Sequence, residues 1–145
     1  MSSKRESIAA NLVTTLQAMT TPVQAKLVTR EPFDFTKLSN AQFPAILIQT
    51  SSETREDATI GGDSILREGS IDYQMIGYVK ATSLDTARNQ LVEAMENALD
   101  IDRTRGGYAL DTQIVSVETD EGSIDPIGGV IVTARVQYNF TRGAV

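Results

Sequence analysis

Residues 130–141, V-I-V-T-A-R-V-Q-Y-N-F-T, sort into two rows. Val130, Val132, Ala134, Val136, Tyr138 and Phe140 lie on one side; Ile131, Thr133, Arg135, Gln137, Asn139 and Thr141 lie on the other. A period of two is that of an extended strand, whose successive side chains point to opposite faces. The first row is apolar and is expected to face the core and the helices. Immediately upstream, residues 112–119, T-Q-I-V-S-V-E-T, form a second strand candidate, and the turn-rich D-E-G-S-I-D-P-I-G-G connects the two. The pair predicts a long antiparallel hairpin.

Working further outward, residues 71–81 alternate Ile71, Tyr73, Met75 and Val79 against Asp72, Gln74 and Lys80, with Ile76 and Tyr78 adding apolar weight to the second side. That strand is expected to be covered on both sides for part of its length. Residues 44–50, P-A-I-L-I-Q-T, read as a buried central strand, and residues 25–30 as a short one. Between them, residues 31–43 hold Phe33, Phe35 and Phe43, aromatics that anchor a loop. Two helices complete the pattern. Ile8, Leu12, Leu16 and Met19 recur at steps of four, four and three, with Ser3 and Glu6 placed for a capping box. Ser83 and Asp85 open a second helix whose apolar face is Leu84, Ala87, Leu91, Met95, Ala98 and Leu99. The order predicts one α+β domain over residues 1–145. It has a mainly antiparallel, mixed sheet of four to five strands with two helices packed on one face.

Residues 51–69 fit neither pattern. Glu53, Glu56, Asp57, Asp63 and Glu68 stand against Arg55 and Arg67, with Gly61-Gly62 in the middle. Such a polar connection is either a solvated loop or a projecting hairpin arm that meets a neighbouring subunit. Under the second reading Glu53, Arg55, Glu56, Asp57, Ile60, Ile65, Leu66 and Arg67 are the candidate interface residues. The apolar Ile60, Ile65 and Leu66 anchor the contact, and the loop orders only on assembly.

Composition narrows the function. The chain has no histidine and no cysteine, so the commonest general base, thiol nucleophiles, disulfides and thiolate metal sites are all missing. Net charge is −6, and the acidity resides downstream of residue 50, which opposes tight binding to phosphate backbones. The N-terminal residues lack the apolar run of a secretory signal, and no run reaches membrane-spanning length.

Local constellations add no chemistry. Asp100 and Asp102 begin like a calcium loop, yet Arg105 stands where the sharp-turn glycine belongs. The acidic turn Glu118, Asp120, Glu121 and Asp125 reads as solvated surface. Gly61, Gly106 and Gly128 open glycine pairs without a phosphate-loop setting and read as turn glycines. Arg103, Arg105, Arg135 and Arg142 are interrupted by acids and lack an aromatic stacking platform, so they read as helix-end and strand-surface residues. The expectation is a protein that is no enzyme and has no cofactor, metal or catalytic residue. A small-molecule binding module using the acidic loops, or a carboxylate-based hydrolase, is the alternative the residues leave open.

In their order and spacing these elements resemble the tail terminator proteins of tailed phages, the phage lambda type among them. The resemblance rests on the opening helix, F-P-A-I-L-I-Q-T from 43 to 50, the charged segment and I-D-Y-Q-M-I-G-Y-V from 71 to 79. It continues through the helix S-L-D-T-A-R-N-Q-L-V-E-A-M-E-N-A-L and the terminal V-Q-Y-N-F. It implies a homo-oligomeric ring, a hexamer, at the head-proximal end of the tail, assembled in the host cytoplasm. The ring would stop tail tube polymerisation and dock the head–tail connector. Its implied partners are other copies of itself, the tail tube protein, the connector or neck protein and, in a contractile tail, the sheath. Genomic DNA would pass through the lumen without specific binding, and no membrane is involved. Another head–tail joining, head completion or tail tube protein is the nearest alternative.

Overall fold

A computed structural model describes residues 3–57, 66–120 and 126–141. The elements are α1 (Lys4–Gln17), β1 (Leu27–Thr29), β2 (Ala45–Asp57), β3 (Leu66–Lys80), α2 (Leu84–Ile101), β4 (Asp111–Thr119) and β5 (Ile127–Thr141). Two single 3-10 turns, Phe35–Lys37 and Asn40–Gln42, lie between β1 and β2. The strands form one sheet in the order β1-β2-β3-β5-β4. β1 runs parallel to β2 and every other pair is antiparallel, giving the expected mixed α+β architecture.

The alternation of 130–141 is realised residue for residue. Val130, Val132, Ala134, Val136, Tyr138 and Phe140 are all buried, in one cluster with Ile71, Tyr73 and Met75 of β3. Ile8, Leu12 and Leu16 of α1 and Leu91, Met95 and Leu99 of α2 join the same cluster. On the opposite face Phe33 and Phe35 pack against Tyr78, the latter stacked at 4.8 Å between ring centroids, so the loop aromatics cover one end of β3's second side.

Helix starts follow their capping signals in part. Ser3 accepts from the Glu6 amide at 3.1 Å. The Glu6 carboxylate does not return to complete the box; it takes two hydrogen bonds from Arg30 and ties α1 to the chain just after β1. Ser83 occupies the N-cap position of α2, but its hydroxyl donates to Thr86 Oγ1 and caps no amide.

Four expectations need correction. First, of the two readings of 51–69 the solvated loop fails at both ends: β2 continues to Asp57 and β3 begins at Leu66, with Asp57 paired to Arg67 across them and β5 alongside β3 as far as Thr141. Second, the Gly128-Gly129 pair is inside β5, not in a turn. A Cβ on Gly128 would come 3.2 Å from both Leu84 and Val79 and 3.4 Å from Arg88 Cδ, so the bare backbone makes room for α2. Third, Arg88 of α2 is buried and donates to Asp120 at 2.6 Å, which removes that acid from the solvated turn. Glu121 and Asp125 lie outside the described residues. Fourth, Arg105 stands at the end of α2 as expected, but it is buried there and is no surface residue.

Arg105 is fully buried and has φ +52°, a left-handed backbone that turns its side chain back under α2. Its guanidinium donates to the carbonyls of Leu99 and Asp102, and more weakly to Asn11 and Thr15 of α1. The C-terminal carbonyls of a helix are unpaired and carry partial negative charge, so a buried cation there satisfies both needs. Asp102 in turn accepts from the amides of Thr104 and Gly106. Gly106 and Gly107, with φ +73° and +90°, complete the turn as expected of turn glycines. The segment that begins like a calcium loop thus carries its own cation.

Candidate assembly surface

The extension of β2 and β3 is held at its base by a polar cluster assembled from three elements, α1, β2 and β5. Register places Glu53 opposite Ile71 and Arg55 opposite Gly69, and β5 places Tyr138 on Gly69's other side. Glu53 is nearly buried and accepts from Arg55 Nε and Tyr138 Oη, both at 2.7 Å, while Arg5 Nε of α1 stands 2.6 Å away as an ion-pair partner that makes no hydrogen bond to it. Burial alone would raise the Glu53 carboxyl; the hydrogen bonds from Arg55 and Tyr138 and the charges of Arg55 and Arg5 outweigh it and hold the group below its usual range. The Tyr138 phenol is pushed up to about 12 by burial and by the Glu53 carboxylate it serves. Arg55 also lies over the Phe140 ring at 4.9 Å, and Tyr138 and Phe140 stack at 5.5 Å.

Of the candidate interface residues, the structure brings Glu53 and Arg55 into this one cluster. Asp57 and Arg67 pair with each other across the extension at 2.9 Å. Glu56 is exposed and stands directly opposite Glu68, a like-charge pair that disfavours the isolated hairpin. Leu66 begins β3 half-buried. Ile60 and Ile65 lie outside the described residues. The charges of this candidate interface thus also build the arm's base within one chain. Position alone could not show this, since Arg5 and Tyr138 are remote in sequence and are brought in by the packing of α1 and by the strand order.

A second feature is the far edge of the sheet. Val115 and Val117 of β4 are 41% and 44% exposed, and Leu110 just before the strand is more so. Among the described residues no strand pairs with the outer edge of β4, nor with that of β2 beyond Leu47, where β1 ends its pairing. Arg103 forms a two-point pair with Asp111, and Arg135 another with Asp72, so both are surface arginines with carboxylate partners, as their sequence setting suggests. Arg142 lies outside the described residues. Among the described residues no group of three or more acidic side chains gathers where a metal could sit, and no helix is long and apolar enough to cross a membrane.

Neither a protein-family model nor a curated protein matches the chain. Its fold is similar to that of a chain in the virion of a native gene transfer agent (GTA) particle, with TM-score 0.60 and 10% sequence identity. The match covers 97% of this chain and 100% of the other, so the likeness extends over the whole architecture and not over one motif.

Proposed function

We propose that the chain is a structural, non-enzymatic virion protein of phage type and, more finely, a tail terminator. Copies would form a ring, a hexamer, on the head-proximal end of the tail tube, halt its growth and present the surface on which the head–tail connector docks. The tail tube protein and the connector are then its partners, with the sheath added in a contractile tail. The fold shared end to end with a virion chain is the observation that carries this reading. The arm and the open edges offer surfaces for self-assembly, and a net charge of −6 suits a lumen through which DNA passes without being held. A tail tube or head completion protein could form rings too, so length control is the discriminating property.

The test is electron microscopy of the purified protein, followed by tail assembly with and without it. Rings that bind tube ends and restore tails of uniform length support the reading. A protein that polymerises into tubes, or that leaves tail length uncontrolled, contradicts it.

A further inference from the structure

Beyond Leu47, where β1 ends its pairing, β2 bounds the described sheet on one side of β3 and β5, and β4 bounds it on the other. Following the register across the strands, Ile48, Met75, Val132 and Val117 form one row, and Glu53, Ile71, Val136 and Thr112 another four pairs along. The open stretch of β2 and the open edge of β4 therefore stand at the same height. Each strand also carries one bulge, at Ser51 and at Val115, and the two lie one row apart, so the edges bend at nearly the same level.

The two edges also match in chemistry. Over the shared rows the only charges are Glu53, engaged by Arg5 and Arg55, and Asp111, engaged by Arg103. β4 contains neither the lysine nor the proline with which exposed edges are commonly guarded, and it exposes Val115 and Val117. We infer that the outer edge of β4 in one copy pairs with the outer edge of β2, over residues 48–54, in a neighbouring copy, continuing the sheet from subunit to subunit. This rests on the self-assembly proposed above and names its contact. The two edges differ, so the contact is heterologous: each copy gives one edge and receives the other, the arrangement that closes rings. A symmetric β4–β4 contact would use one edge twice and leave β2 bare.

The chain has no native cysteine, so introduced thiols report unambiguously. Gln49 and Ser116 are exposed and share a row. Treated with a short bis-maleimide, full-length Q49C/S116C is expected to give a ladder of covalent multimers on a denaturing gel, while Q49C and S116C alone stay monomeric. V115K/V117K is expected to lower the native mass of the unmodified assembly while its unfolding midpoint is retained. Dimers from S116C alone, or a double variant that does not link, would overturn the edge pairing. Light scattering of the wild type separates failure of this contact from failure of self-assembly. An oligomer that fails to link refutes only this contact; a monomer at every concentration refutes the self-assembly reading with it.

Discussion

Tyr138 donates a 2.7 Å hydrogen bond to Glu53 although β3 separates their strands, and Gly69 of β3 is what lets it through. A Cβ at that position would stand 2.5 Å from the Tyr138 ring and 2.8 Å from the Glu53 carboxylate, closer than atoms can pack. Gly69→Ala is therefore expected to destabilise the fold by about 1–3 kcal/mol, the usual range for overpacking, although alanine ordinarily outranks glycine in a strand. Urea unfolding checks it. An unchanged or raised midpoint would mean that Tyr138 swings aside without loss.

The same cluster sets a pH dependence. Glu53 has a lowered folded-state pKa, so its contribution is present above the ordinary carboxylate range and is lost as pH falls through the folded value. Tyr138 and Tyr73 are raised to about 12, so theirs is complete below pH 10 and lost between there and about 12. Unfolding midpoints followed against pH should fall on both flanks. Glu53→Gln should flatten the acid flank, and an acid flank identical to wild type would remove Glu53 from the account.

Arg105 offers a test of the buried cap. Arg105→Lys keeps the charge but presents a single ammonium to carbonyls that a planar fork now serves, and should cost about 2 kcal/mol through groups left unsatisfied. Arg105→Gly relaxes the φ of +52° and yet should also lose stability, because the lost cap outweighs the eased backbone. Thermal unfolding of both variants decides it; a stabilised glycine variant would assign the residue no capping role.

Val136 is fully buried in the core row. Val136→Asp should abolish accumulation of folded protein, since an unpaired carboxylate there has nothing to accept from. A cooperatively unfolding V136D protein would contradict the assigned face.

Glu56 separates folding from assembly. Glu56→Lys converts the like-charge pair with Glu68 into an attractive one and should stabilise the single chain by about 0.2–1 kcal/mol. If the arm meets a neighbour as proposed, the same change should shift native mass or its salt dependence. A change in stability with no change in assembly would confine Glu56 to the hairpin.

Periodicity made the sheet and both helices legible because burial alternates cleanly there: every member of the inward row of 130–141 is in the core. It failed where charge served structure. Glu53, Arg55, Asp57 and Arg67 look like loop residues by composition, yet Asp57 and Arg67 pair across β2 and β3 while Glu53 and Arg55 pair along β2. Arg88 was unreadable for a related reason, since its partner Asp120 is brought in by tertiary placement, whereas Arg105 was legible as a helix-end residue but not as a buried one. Gly69 and Gly128 gave no signal beyond their identity, since the need for a missing Cβ arises from the strand or helix packed over it.

The strand order has a kinetic side as well. β2 with β3 and β4 with β5 are neighbours along the chain and can zip locally, whereas the seam between β3 and β5 closes across the whole of α2 and β4. Contacts between distant segments are slow to form because the intervening chain must first be constrained. Closing that seam, with Met75 against Val132 and Tyr73 against Ala134, is therefore expected to be the slow step in which two local hairpins become a single sheet.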